Sequence, residues 1–115
     1  MDDRTEIRRD DDGELCGFVE RDGDDWLAVT VFGAWFARFD DESRARHAVR
    51  ELGLDILARR WQYRASIDEE WEVCCIVEAS PQSVTIVVDF YPMPNSPRVV
   101  LSANRARDRG VLQPG

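Results

Sequence analysis

Glu72, Cys74 and Glu78 alternate along the stretch WEVCCIVEA, and Asp89 falls on the matching face of the stretch that follows. Residues two apart on a strand share a face, so these four could line one shallow pocket. A carboxylate there could act as general acid or base if it were desolvated. The plainer reading is a solvated sheet face that carries charge. Cys75 alternates the other way, with Trp71, Val73, Val77 and Ala79, and is read as core. Cys74 is then the thiol on the more polar side. Neighbouring strand residues point apart, so the two thiols do not converge on one metal.

Other reactive groups are few. His47 is the single histidine, which excludes a histidine pair for metal binding or proton transfer. All fifteen basic residues are arginine, so a lysine-dependent phosphate loop and a Schiff base are both impossible. Asp10, Asp11 and Asp12 form an acidic triplet, but no spaced ligand set follows it. Asp22 to Asp25 resembles a turn more than a calcium loop, because the closing Glu is missing. No residue set calls for a cofactor or a metal.

Tryptophan and arginine remain. Trp26, Trp35, Trp61 and Trp71 are many for 115 residues, and arginines stand at 38, 59, 60 and 64. Both types are enriched where proteins bind one another, because a flat ring gives contact area at little entropic cost. Trp35, Arg59, Trp61, Arg64 and Trp71 are therefore the expected binding residues, with the core as the competing place for any of the rings.

The elements that must position these groups follow from periodicity. Ala45, Ala48, Val49 and Leu52 make one apolar stripe at helical spacing. Asp40 or Asp41 suits the cap, and Gly53 suits a left-handed stop. This predicts a helix over Asp40 to Leu54, packed flat on strands. Strands are expected at 14–20, 26–32, 35–39, 61–66, 71–79, 83–91 and 98–103, with 55–60 readable as helix or strand. The fold class is α+β: an antiparallel sheet of about six strands packed on one main helix, in the order β-β-β-α-β-β-β. A disordered acidic arm over 1–13, a single domain over 14–103 and a flexible arginine-containing tail over 104–115 complete the division. One helix covers about four strands at a spacing of about 4.8 Å, so the surplus sheet must curl or meet a second copy.

Composition excludes some functions. The net charge of −8 argues against nucleic acid and anionic membrane surfaces. Charge is uneven: residues 1–55 carry 16 acids and 8 arginines, whereas residues 56–115 carry 7 of each. Three cysteines do not make a disulfide scaffold, and the charged N-terminus is no signal peptide, so a cytoplasmic setting is expected. The leading expectation is a non-enzymatic protein-interaction domain, homodimeric, that binds a protein partner through an aromatic and arginine sheet surface. One alternative is a small-ligand binder or small enzyme with a pocket between helix and sheet. Another is an acidic decoy that occupies a cationic site on its partner.

Overall fold

The computed structural model describes residues 4–88, 93 and 95–115. The order is β1 (Arg4–Arg8), β2 (Leu15–Asp22), β3 (Asp25–Val29), β4 (Trp35–Phe39), α1 (Glu42–Leu52), a 3-10 turn (Asp55–Ala58), β5 (Arg60–Tyr63), β6 (Glu72–Ala79), β7 (Ser83–Val87), β8 (Arg98–Ser102), α2 (Ala103–Ala106) and β9 (Leu112–Pro114). The fold is α+β and antiparallel, as its sequence indicates, but the strands divide into two sheets. One runs β1-β2-β3-β4 and the other β8-β7-β6-β5-β9. A single six-strand sheet is thus replaced by a four-stranded and a five-stranded one.

The division solves the problem of surplus apolar surface. Alanines 45 and 48 and Val49 bury one face of α1 against β2, β3 and β4. Val19 and Ala28 pair across that face and, with Ile7 and Cys16, complete the first core. Asp41 caps the helix by accepting from the Ser43 N–H, which satisfies one donor left open in the first turn. Two expectations for the helix fail. Gly53 is right-handed, with φ −58°, and it is glycine because a Cβ would lie 2.3 Å from the Cys16 carbonyl oxygen. Leu52, expected in the apolar stripe, is 40 % exposed, and only Ala45, Ala48 and Val49 of that stripe are buried.

The second core forms under the five-stranded sheet. The turn between β3 and β4 carries Val31, Phe32 and Ala34 into it. Buried Thr30 closes this turn: its N–H donates to the Ala34 carbonyl, and its Oγ1 accepts from the Ala34 N–H at 3.1 Å. Phe32 meets Trp61 with ring centroids 5.6 Å apart and tilted. Burial of two such rings contributes roughly 1.5–3 kcal/mol each. The stretch expected as one strand over 26–32 is therefore a strand that ends at Val29 and a buried turn.

Segments near both ends of the sequence join sheets. In the segment expected as a loose arm, Arg4–Arg8 pairs with β2 and buries only Ile7. Its other side chains are charged or polar, which gives an edge strand an unpromising sequence. In the segment expected as a tail, α2 packs on β7 and β8, and β9 pairs with β5 through a fully buried Leu112.

The phase of β6 is the reverse of the expected one. Cys74 pairs with Trp61 and is fully buried, whereas Cys75 is half-buried on the outer side. The inner face is set by Trp61 and Tyr63 on one neighbour and by Val84 and Ile86 on the other. Cys74 follows them inward, whatever the polarity of Glu72 and Glu78. Asp89 lies outside the described residues.

Candidate functional site

Two arginine–tryptophan stacks meet where the sheets join. Arg64 follows β5 and lies over the Trp71 ring, 4.3 Å from its centroid. Its Nε donates to the Gly110 carbonyl at 2.7 Å, which fixes the guanidinium to the loop between α2 and β9. The residue just before Gly110 in that loop, Arg109, lies 3.8 Å over the ring of Trp35 on β4. Arg38 approaches the same ring at 5.7 Å. Trp71, Arg64, Arg109, Trp35 and Arg38 thus form one connected series. Each stack contributes about 0.5–2 kcal/mol, the larger value where the pair is desolvated.

The cations in this series differ in how they are neutralised. Arg38 is held by Asp22 at 2.7 Å and Asp25 at 3.1 Å, and these hydrogen bonds raise its pKa. Arg4 and Arg107 share Glu20 at 2.9 and 3.5 Å. Arg64 and Arg109 have no carboxylate partner among the described residues. Arg105 resembles them, donating to the Ala65 carbonyl at 2.7 Å. The Nε of Arg109 is buried without a hydrogen-bond partner among the described residues, and burial lowers its pKa. Arginine stays charged regardless. Arg64, Arg105 and Arg109 are thus guanidiniums held by rings and carbonyls, while Glu69, Glu70 and Glu72 line a groove with Trp71 and Asp108 accepts from the Gly110 N–H.

Of the five expected binding residues, the structure gathers Trp35, Arg64 and Trp71 into this series. Trp61 is fully buried and donates from Nε1 to the Ile56 carbonyl at 2.9 Å, so it belongs to the core. Arg59 is exposed at the far end of β5, about 16 Å of strand away from Arg64. Arg109 was missed because it lies in the segment expected as a tail, 74 residues from Trp35 in sequence. No local pattern joins them.

Among the described residues of the alternative pocket, Glu72, Cys74 and Glu78 do not converge. Glu72 and Glu78 mark opposite ends of β6 and are exposed, while Cys74 points into the core between them. Burial pushes the Cys74 thiol up to about 12, so it is protonated at neutral pH. Burial likewise raises the Cys16 thiol. Near the N-terminus, Arg9 binds Asp12 at 2.8 Å and also contacts Glu14. The hydrogen bond from Arg9 holds the Asp12 carboxyl below its usual value. No group of His, Cys, Asp and Glu among the described residues could hold a metal ion. No helix among them is long and apolar enough to cross a membrane.

A separate cleft of about 530 Å³ opens at the seam of the two cores, between the 3-10 turn and the end of β6. Leu54, Leu57 and Ile76 form its floor, and Glu14 and Glu78 stand among its lining. No family model matches the chain, and no curated protein or solved structure matches it either.

Proposed function

We propose that this chain is a non-enzymatic protein-interaction domain that grips a carboxylate-bearing segment of a partner through the series Trp71, Arg64, Arg109 and Trp35. The observation that carries the reading is the set of guanidiniums held by rings and carbonyls instead of carboxylates. A guanidinium already oriented by stacking loses little freedom when it forms a bidentate pair with a carboxylate. Partly desolvated tryptophan and arginine are also the residues that dominate binding energy at protein interfaces. The acidic remainder of the chain discourages unselective binding of anions, so recognition is confined to this surface.

The test is affinity capture of partners from the native host with wild-type protein and with a double variant, Arg64→Ala with Arg109→Ala. Circular dichroism would establish that the variant is folded. Loss of partners that wild type retains supports the proposal. Retention of every partner by the folded variant refutes it.

Self-association is a second reading with its own observation. Val100 is 68 % exposed at the edge of the five-stranded sheet, opposite Thr85 on β7. This sheet belongs to the half of the chain whose charges balance, so two acidic copies meet there with the least repulsion. A homodimer through this face would leave the arginine–tryptophan series of each copy free.

A further inference from the structure

We propose that the cleft between the 3-10 turn and the end of β6 binds a small hydrophobic cation, an ammonium or guanidinium group carried on an apolar body. Three observations converge. The cleft measures about 530 Å³, within the range of roughly 300–1,000 Å³ usual for small-molecule sites. Its floor is apolar and its lining contains no basic residue, while Glu78 has no ion-pair partner among the described residues. Glu14, the other carboxylate, is already engaged by Arg9. Glu78 is thus the free charge beside the floor, and it selects a cation.

The third observation is the backbone. The pairing of β6 with β7 slips between Ile76 and Glu78, which marks a bulge at Val77. In a regular strand only alternate residues reach one side. Here Ile76, Val77, Glu78 and Ala79 all line the cleft, and Val77 remains 41 % exposed. Bulges of this kind re-aim side chains beside binding sites. A second groove of about 380 Å³ shares Glu78 and continues past the hydroxyls of Ser80, Ser83 and Thr85. The charged end of a ligand would therefore sit at Glu78, with the hydroxyls of Ser83 and Thr85 beside it (that of Ser80 is already taken up by the turn), and its apolar end would lie on Leu54, Leu57 and Ile76.

The experiment is an amide NMR titration of the full chain with octylammonium and, separately, with octanoate. Octylammonium is expected to shift the amide resonances of residues 54–58 and 76–80, and octanoate to leave them in place. Glu78→Gln should weaken octylammonium roughly threefold to fivefold, the worth of an exposed ion pair. Val77→Trp, which fills the mouth from an exposed position, should abolish the shifts. Absence of cleft shifts at millimolar octylammonium would overturn the proposal. So would equal affinity for octanoate, or unchanged affinity in either variant. Neither substitution touches the arginine–tryptophan series, so this site and that one fail or succeed independently.

Discussion

Trp61→Phe separates a structural tryptophan from a binding one. The indole is fully buried, meets Phe32, and donates to the Ile56 carbonyl in the 3-10 turn. Phenylalanine keeps most of the ring but has no donor. The Ile56 carbonyl is left without that partner, at a cost of about 1–3 kcal/mol. The lost part of the ring removes roughly 1 kcal/mol more of buried apolar surface and leaves a small void. The total is about 2–4 kcal/mol, a large share of the roughly 5–15 kcal/mol that a domain has. Urea denaturation followed by tryptophan fluorescence reads it directly. With a slope of about 2 kcal/mol per molar, the midpoint should fall by roughly 1–2 M, with the slope unchanged. Partner capture at low temperature should survive, because this ring does not reach the surface. A midpoint shift below about 0.3 M would show that the indole N–H and its packing matter little, and the assignment of Trp61 to the core would be wrong.

Other outcomes follow from the same geometry. At pH 8 a thiol reagent should modify Cys75 in the native protein and spare Cys16 and Cys74, all three reacting after denaturation; rapid native labelling of Cys74 would contradict its burial. Because the folded Cys74 thiol holds its proton to about 12 while the unfolded one ionises near 9.0, stability should decline as pH rises from about 9 toward 12, and Cys74→Ala should flatten that decline. Gly17→Ala places a Cβ 2.2 Å from the Val29 carbonyl oxygen at a φ of +151°, so it should destabilise by about 2 kcal/mol or more, measured by thermal melting; a neutral result would mean that β2 and β3 can part there cheaply. Val100→Glu should convert a dimer to a monomer in sedimentation velocity without loss of helicity, and a wild-type protein that is already monomeric would remove the self-association reading.

The sequence by itself determined the elements whose evidence is local. The helix is legible because cap and apolar stripe lie close together, from Asp41 to Leu52, and Asp41, Ala45, Ala48 and Val49 do what that spacing implies. The β2–β3 and β6–β7 hairpins are legible for the same reason, turn residues flanked by alternation. Tertiary structure decided what depends on partners far along the chain. Arg4–Arg8 and Leu112–Pro114 become strands only because β2 and β5 offer them open edges. Cys74 turns inward because Trp61, its partner on β5, does, a choice that the two-sided alternation of β6 leaves open. The candidate site shows the same limit. Trp35, Arg64 and Trp71 could be named from residue type, but their meeting depends on Arg109 and the Gly110 carbonyl in a segment with no periodicity of its own. Burial, and not residue type, removed Trp61 from that surface: a ring that suits an interface suits a core equally well, and only the folded chain determines which side of the sheet it faces.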